Sequence, residues 1–310
     1  MIERNSREQT VGRFAPSPTG ALHTGSLVTA VGSYLMAKKS GGEWRLRLDD
    51  LDAPRQVTGV ADDIMRTLES FGLFWDGPVS RQSGHLDFYA SAFEELIKQG
   101  EIYPCYCSRK EIARSSSAPH VEDDGIPYNG NCGLGGTKTG AVRSWRVRVP
   151  DECVTFTDLR RGLVCQNLSS FTGDFAVKRG DGVFAYQLAV VVDDYLTGVN
   201  QVVRGDDLLS STPRQIYLQR LLGYPEPQYC HLPLVTGQSG AKLSKRDNLI
   251  SSRLTSVKGH EKELLLKILC FLGQSPPEDL FGFSCAEILS WSSSNFKKVD
   301  LALQGGVLAI

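Results

Sequence analysis

The apolar and polar positions of this chain mark out its elements in order. Val11 to Phe14 predicts a short strand, and Ala15-Pro16-Ser17-Pro18-Thr19-Gly20 a loop that two prolines and a glycine enforce. Leu27, Val28, Val31, Tyr34 and Leu35 recur at helical spacing, which predicts a helix from about Gly25 to Lys39, ended by Gly41-Gly42. Trp44 to Leu48 alternates apolar with basic residues and predicts a strand. Strand, loop, helix, strand is the opening unit of a parallel α/β sheet.

Further helices fit Val60 to Phe71 and Leu86 to Gln99, and Tyr103 to Cys107 fits a strand. From Ser115 to Gly140 the chain is rich in Ser, Gly, Asp and Pro, so something other than an apolar core must hold it if it is ordered. Ser144 to Val149 alternates again, its arginines facing either RNA or solvent. Phe184 to Leu196 reads as a buried helix or a buried strand, and periodicity does not choose between them. Gln201 to Arg204 and Tyr229 to Val235 predict strands, and Leu208 to Leu222 an amphipathic helix closed by Gly223. Thr236 to Arg246 is a Gly, Ser and Lys loop, Glu261 to Leu272 a helix, and the last forty residues are weakly patterned.

With 310 residues the chain suits one large or two modest domains. Lys plus Arg number 34 and Asp plus Glu 35, a balance that neither demands nor excludes a nucleic-acid partner. Met1 to Thr10 lacks the apolar stretch of a signal peptide, and no run approaches the ~20 apolar residues of a bilayer span, so a cytoplasmic protein with no membrane partner is expected. A chain of this size needs no disulfide framework for its eight cysteines. Of these, Cys105, Cys107 and Cys132 cluster in sequence around the unpatterned segment.

Two motifs carry chemistry. His23-Thr24-Gly25-Ser26 sits where the proline loop turns into a helix, and there backbone N–H groups and the positive end of the helix dipole favour a phosphate. Gly25 would let a nucleotide approach the backbone, and His23 can donate to phosphate oxygens. Lys242-Leu243-Ser244-Lys245-Arg246 supplies mobile cations, which suit the charge that grows on departing pyrophosphate. Taken singly, the first reads equally as a turn with a surface histidine and the second as a solvated basic loop.

In this order the pair resembles the two signatures of class I aminoacyl-tRNA synthetases. Gly12-Arg13-Phe14-Ala15-Pro16-Ser17-Pro18-Thr19-Gly20, Arg47-Leu48-Asp49-Asp50-Leu51-Asp52, Tyr186 to Asp194 and Val203-Arg204-Gly205 narrow the resemblance to the glutamyl group. It implies that His23, Gly25, Lys242, Ser244 and Lys245 bind ATP with its Mg²⁺, and that His23, Lys242 and Lys245 are catalytic. It also implies that Arg13, Ala15, Ser17, Asp49, Tyr186 and Arg204 form the glutamate pocket. Asp49 stands where the group usually carries Glu, so the carboxylate expected to hold the α-ammonium is a methylene shorter.

Full-length members carry an anticodon-reading domain, whereas only about sixty residues follow the lysine loop here. The chain thus resembles the group's short paralogues. That implies activation of L-glutamate by ATP without tRNA, then transfer to the queuosine base at the wobble position of tRNA(Asp). The alternative is a short enzyme charging a tRNA 3′ end. Three thiols and a phenol at Cys105, Cys107, Tyr128 and Cys132 could enclose a structural Zn²⁺ or simply be unligated side chains. The short paralogues share that arrangement, which favours zinc; His120 in the same segment is either a competing ligand or, the reading preferred here, a loop histidine. The expected architecture is α/β: a doubly wound parallel, Rossmann-type catalytic sheet from 1–104 and 183–250, split by a zinc-containing insertion, 105–182. A short helical tail, 251–310, follows with no anticodon-binding domain, and a monomer is expected.

Overall fold

The computed structural model describes residues 9–108, 110–112, 128, 130–133, 140–236, 259–298, 301 and 306–307. In chain order the elements are β1 (Val11–Phe14), α1 (Thr24–Lys39), β2 (Glu43–Leu48), α2 (Val60–Ser70), β3 (Ser80–Arg81), α3 (Leu86–Lys98) and β4 (Ile102–Cys105). Next come β5 (Ser144–Val147), β6 (Cys153–Asp158), β7 (Gly162–Asn167), α4 (Leu168–Phe171), β8 (Phe175–Arg179) and α5 (Tyr186–Leu196). The rest are β9 (Gln201–Gly205), α6 (Ser211–Leu222), β10 (Gln228–Leu232), α7 (Glu261–Phe271) and α8 (Cys285–Asn295).

Seven strands form the main sheet in the order β3-β2-β1-β9-β10-β6-β7. Every pairing in it is parallel except the β6–β7 hairpin at one edge. The chain winds outward from β1 through β2 to β3, then returns to lay β9 against the other side of β1. The boundary between β1 and β9 is therefore a topological switch point, where open α/β sheets leave a crevice at the carboxyl ends of their strands.

Helices cover both faces, and each face has its own core. On one side α1 lies between the sheet and the pair α7 and α8, so residues almost all round it are buried, Leu27, Val31 and Leu35 among them. That double contact explains a helix with so weak a polar stripe. On the other side α3, α5 and α6 pack together over β9 and β6. The apolar run whose state periodicity left open is the helix α5, with Leu188 to Val192 buried throughout.

The stretch 105–182 is divided between two sheets. β5 and β8 form a separate antiparallel sheet with β4, whereas β6 and β7 extend the main sheet beyond β10. Pattern had marked neither β6 nor β7. The last forty residues include a helix that pattern had not marked either. α8 opens with a capping box, in which Ser284 and Glu287 each bond the other's backbone N–H, and it buries Ile288 and Leu289 beside α1. Among the described residues no helix is long and apolar enough to cross a membrane.

Candidate active site at the switch point

β1 and α1 hold the first motif as a single rigid turn. His23 has an extended backbone and caps α1, its Nδ1 accepting the Ser26 N–H at 3.2 Å. A ring nitrogen that accepts a backbone N–H carries no proton, so the neutral imidazole bears its hydrogen on Nε2. Gly25 has a reason internal to this turn. A Cβ there would lie 3.2 Å from both Cε1 and Nδ1 of His23, so a larger residue would require the ring to give by a few tenths of an ångström. The first-turn N–H groups and helix dipole stand at the carboxyl end of β1, as a phosphate requires.

The prolines and the end of β2 are stitched together, for Asp49 N–H donates to the Pro16 carbonyl at 3.0 Å. Beneath them lies a buried cluster of charges between sheet and α5. Arg47 Nε donates to Asp49 Oδ1 at 2.7 Å and its Nη1 to Asp194 Oδ1 at 2.5 Å. Arg13 Nε reaches the same Asp194 oxygen at 3.3 Å. Asp193, fully buried one residue earlier, accepts from Gln82 Nε2 at 2.7 Å and Tyr89 Oη at 2.6 Å, and pairs with His85 Nδ1 at 2.8 Å. Isolated charges would be expelled from such a place, and these persist because each has several partners.

The network tunes its members. Burial alone would raise Asp194, but Arg13 and Arg47 outweigh it and hold this carboxyl below the usual range. Asp49 goes the other way: burial pushes it up to about 6 against the pull of Arg47. An acid poised there can carry or lose its charge near neutrality.

Across the switch point β9 presents Arg204, also buried. Its guanidinium stands over the Tyr229 ring, 5.6 Å from the centroid. Its Nη1 has no hydrogen-bond partner among the described residues, and neither has Nη2 of Arg47. A buried arginine donor without an acceptor is costly and invites an anionic ligand. Tyr186 is half-exposed at the first turn of α5, on the helical face that carries Asp193 seven residues later. Ser17 is exposed and Ala15 half-buried in the proline loop.

The structure therefore links Arg13 and Asp49 through Arg47 and Asp194, and sets Arg204 on the neighbouring strand. Lys242, Ser244 and Lys245 lie outside the described residues, as does His120. Sequence reading quoted Asp193 and Asp194 without giving them work, and an acid pair closing an apolar run was the available signal. Gln82, His85 and Tyr89 left no such signal, being more than a hundred residues from the acid they serve.

A second cluster lies at the end of β4. The sulfur atoms of Cys105, Cys107 and Cys132 all fall within 4.8 Å of one another, with Cys107 and Cys132 at 3.5 Å. Tetrahedral Zn–S bonds of ~2.3 Å set ligand sulfurs about 3.8 Å apart, so the donors fit such an ion. The Tyr128 hydroxyl lies 3.7 Å from the Cys107 sulfur and accepts the Cys132 N–H at 2.9 Å. Burial alone would raise the Cys132 thiol, but the hydrogen bond with Tyr128 and its other neighbours outweigh it and hold that thiol at about 7. A thiolate is thereby within reach at neutral pH. Tyr128 is fixed by backbone bonds to Thr172 and Asp174 at 3.2 and 3.1 Å. These require glycine at 173, where φ is +60° and any Cβ would strike the Tyr128 backbone.

Comparison with known proteins agrees with this architecture. Residues 9–298 match the family described as tRNA synthetases class I (E and Q), catalytic domain. A protein of Geobacter sulfurreducens named glutamyl-Q tRNA(Asp) synthetase is 57% identical over 290 residues, 93% of this chain and 92% of that one. One of the same name from Dechloromonas aromatica is 51% identical, covering 92% of this chain and 93% of its own length. Among solved structures, a glutamate tRNA ligase from Elizabethkingia meningosepticum in complex with its amino acid superposes with a TM-score of 0.77 at 24% identity. That match covers 97% of this chain and 67% of the ligase and shows a common fold. A match across nearly the whole chain, on a sheet whose switch point carries the helix-capping histidine and the buried arginines, establishes that the protein belongs to the class I tRNA synthetases of the E and Q group, a family of ligases.

Proposed function

We propose that the protein activates L-glutamate with ATP, without tRNA, and transfers it to the queuosine base at the wobble position of tRNA(Asp). The observation that carries this reading is the pairing of two features at one switch point. A capped helix N-terminus suits the ATP phosphates, and buried arginines on β1 and β9 suit an acidic amino acid. The names of the relatives give the acceptor.

In the first step the α-carboxylate of glutamate attacks the α-phosphorus of ATP, and pyrophosphate leaves; a Mg²⁺ bound to the polyphosphate would offset its charge. His23 donates from Nε2 to the phosphates, Gly25 leaves the ring its place, and Lys242, Ser244 and Lys245 complete the ATP site. Arg13, Ala15, Ser17, Tyr186 and Arg204 line the glutamate pocket, with Asp49 receiving the α-ammonium. Positioning and charge stabilisation then supply the rate. In the second step a hydroxyl of the queuosine base attacks the carbonyl of the mixed anhydride, and AMP leaves. Cys105, Cys107, Tyr128 and Cys132 hold a structural Zn²⁺ within the 105–182 insertion, and the protein acts as a monomer.

The test is transfer of labelled glutamate to tRNA(Asp) with and without queuosine, and to unmodified tRNA(Glu). Label on the queuosine-containing RNA alone supports the reading. Label on tRNA(Glu) replaces it with charging of a 3′ end.

A further inference from the structure

Behind Arg204 lies a chain of buried polar side chains to which neither the sequence motifs nor the proposed pocket assigns a role. Asp158 ends β6 and His231 lies on β10; both are inaccessible to solvent, and Thr212 on α6 is equally buried. Asp158 Oδ2 takes the His231 backbone N–H at 3.0 Å and lies 2.7 Å from its Nδ1. On the far side of the ring, Arg204 Nε lies 3.2 Å from His231 Nε2. Arginine can only donate, so Nε2 must be the unprotonated nitrogen and Nδ1 carries the hydrogen, given to Asp158. Thr212 Oγ1 accepts from Arg204 Nη2 at 2.7 Å.

Two of the three guanidinium nitrogens are thus tied inside the protein, and Nη1 remains with no partner among the described residues. We propose that Asp158, His231 and Thr212 are positioning residues that lock the Arg204 guanidinium, leaving one donor edge for the carboxylate of the amino-acid substrate. This rests on the assignment of Arg204 to the glutamate pocket. The logic is that of outer groups that fix the tautomer and aim of an inner one. Burial disfavours a charge on His231 and lowers its proton affinity, which keeps Nε2 available to Arg204.

The experiment is glutamate-dependent ATP–pyrophosphate exchange by the full chain. His231→Leu removes the acceptor of Arg204 Nε and should raise KM for glutamate about tenfold or more, as loss of a hydrogen bond to a charged group does. KM for ATP and kcat should stay unchanged. His231→Gln, whose amide oxygen can take the Nε–H, should restore most of the loss. Thr212→Val removes the acceptor of Nη2 at nearly constant shape and should shift KM in the same direction; it stands in where His231→Leu does not fold. An unchanged glutamate KM in the folded variant overturns the proposal, and so does a parallel loss in KM for ATP and kcat. Arg204→Ala separates the two readings. If it leaves glutamate KM unchanged, the pocket assignment falls; if it raises KM while His231→Leu and Thr212→Val do not, only the positioning role falls.

Discussion

Arg47 and Asp194 are joined across the boundary between sheet and helix, Nη1 to Oδ1 at 2.5 Å, and the same oxygen accepts Arg13 at 3.3 Å. A single carboxylate on α5 therefore holds an arginine from each of two strands. Asp194→Ala leaves both guanidinium groups buried with one acceptor fewer. Removing one partner of a buried ion pair costs about 3–5 kcal/mol. Urea unfolding of the variant should show a loss of that size, and a loss under ~1 kcal/mol would mean that the cluster does not act as a unit.

The acidity of Asp49 sets a pH dependence. Above about 6 its carboxylate is charged and can receive an ammonium; below, it is neutral. The α-ammonium of glutamate stays charged throughout. At saturating ATP, KM for glutamate should therefore climb as pH falls through about 6, approaching about tenfold per unit where only the ionised form binds. Asp49→Asn should show a raised KM with the dependence flattened. A wild-type KM constant as pH falls from well above that midpoint to well below it would remove Asp49 from ammonium recognition.

Much of this arrangement is legible in the sequence because the relevant features are local. The proline loop, the His23 turn and the helix after it follow from neighbours in sequence, and each is found where pattern placed it. β6 was missed although Val154 and Phe156 alternate with exposed Thr155 and Thr157 as in a half-buried strand, because only two apolar residues carry that alternation. α8 escaped because four of its residues are serines, and its stability comes from a capping box and from packing on α1. The charge network was hidden for a different reason. Gln82, His85 and Tyr89 converge on Asp193 only through the winding of the sheet, and no spacing along the chain encodes that.

The capping of α1 by His23 and its proposed donation to ATP can be separated. Asn is a good cap but lacks the imidazole Nε2–H, whereas Ala lacks both. Adenylate formation should fall about 10²-fold in His23→Asn and His23→Ala alike, as it does when a donor to developing charge is removed. Thermal stability should fall only in His23→Ala, by about 1 kcal/mol. Equal activity of His23→Asn and wild type would confine His23 to a capping role.

Cys107 is central to the sulfur cluster, in contact with both Tyr128 and Cys132. Cys107→Ser should lose zinc by elemental analysis, and the wild-type protein should become more sensitive to proteolysis within 105–182 when a strong chelator is added. Full metal content in the variant would overturn the ligand assignment.

The cap on α1 bears on the entropy of nucleotide binding. An imidazole at the tip of a loop explores several rotamers, and a ligand that uses it must first arrest it at roughly 0.5–1.5 kcal/mol. Here the Ser26 N–H has already confined the His23 ring while the chain folds. In the proposed ATP site, the nucleotide would meet a donor whose orientation is set before it arrives, with the freedom lost there charged to folding stability and not to nucleotide affinity.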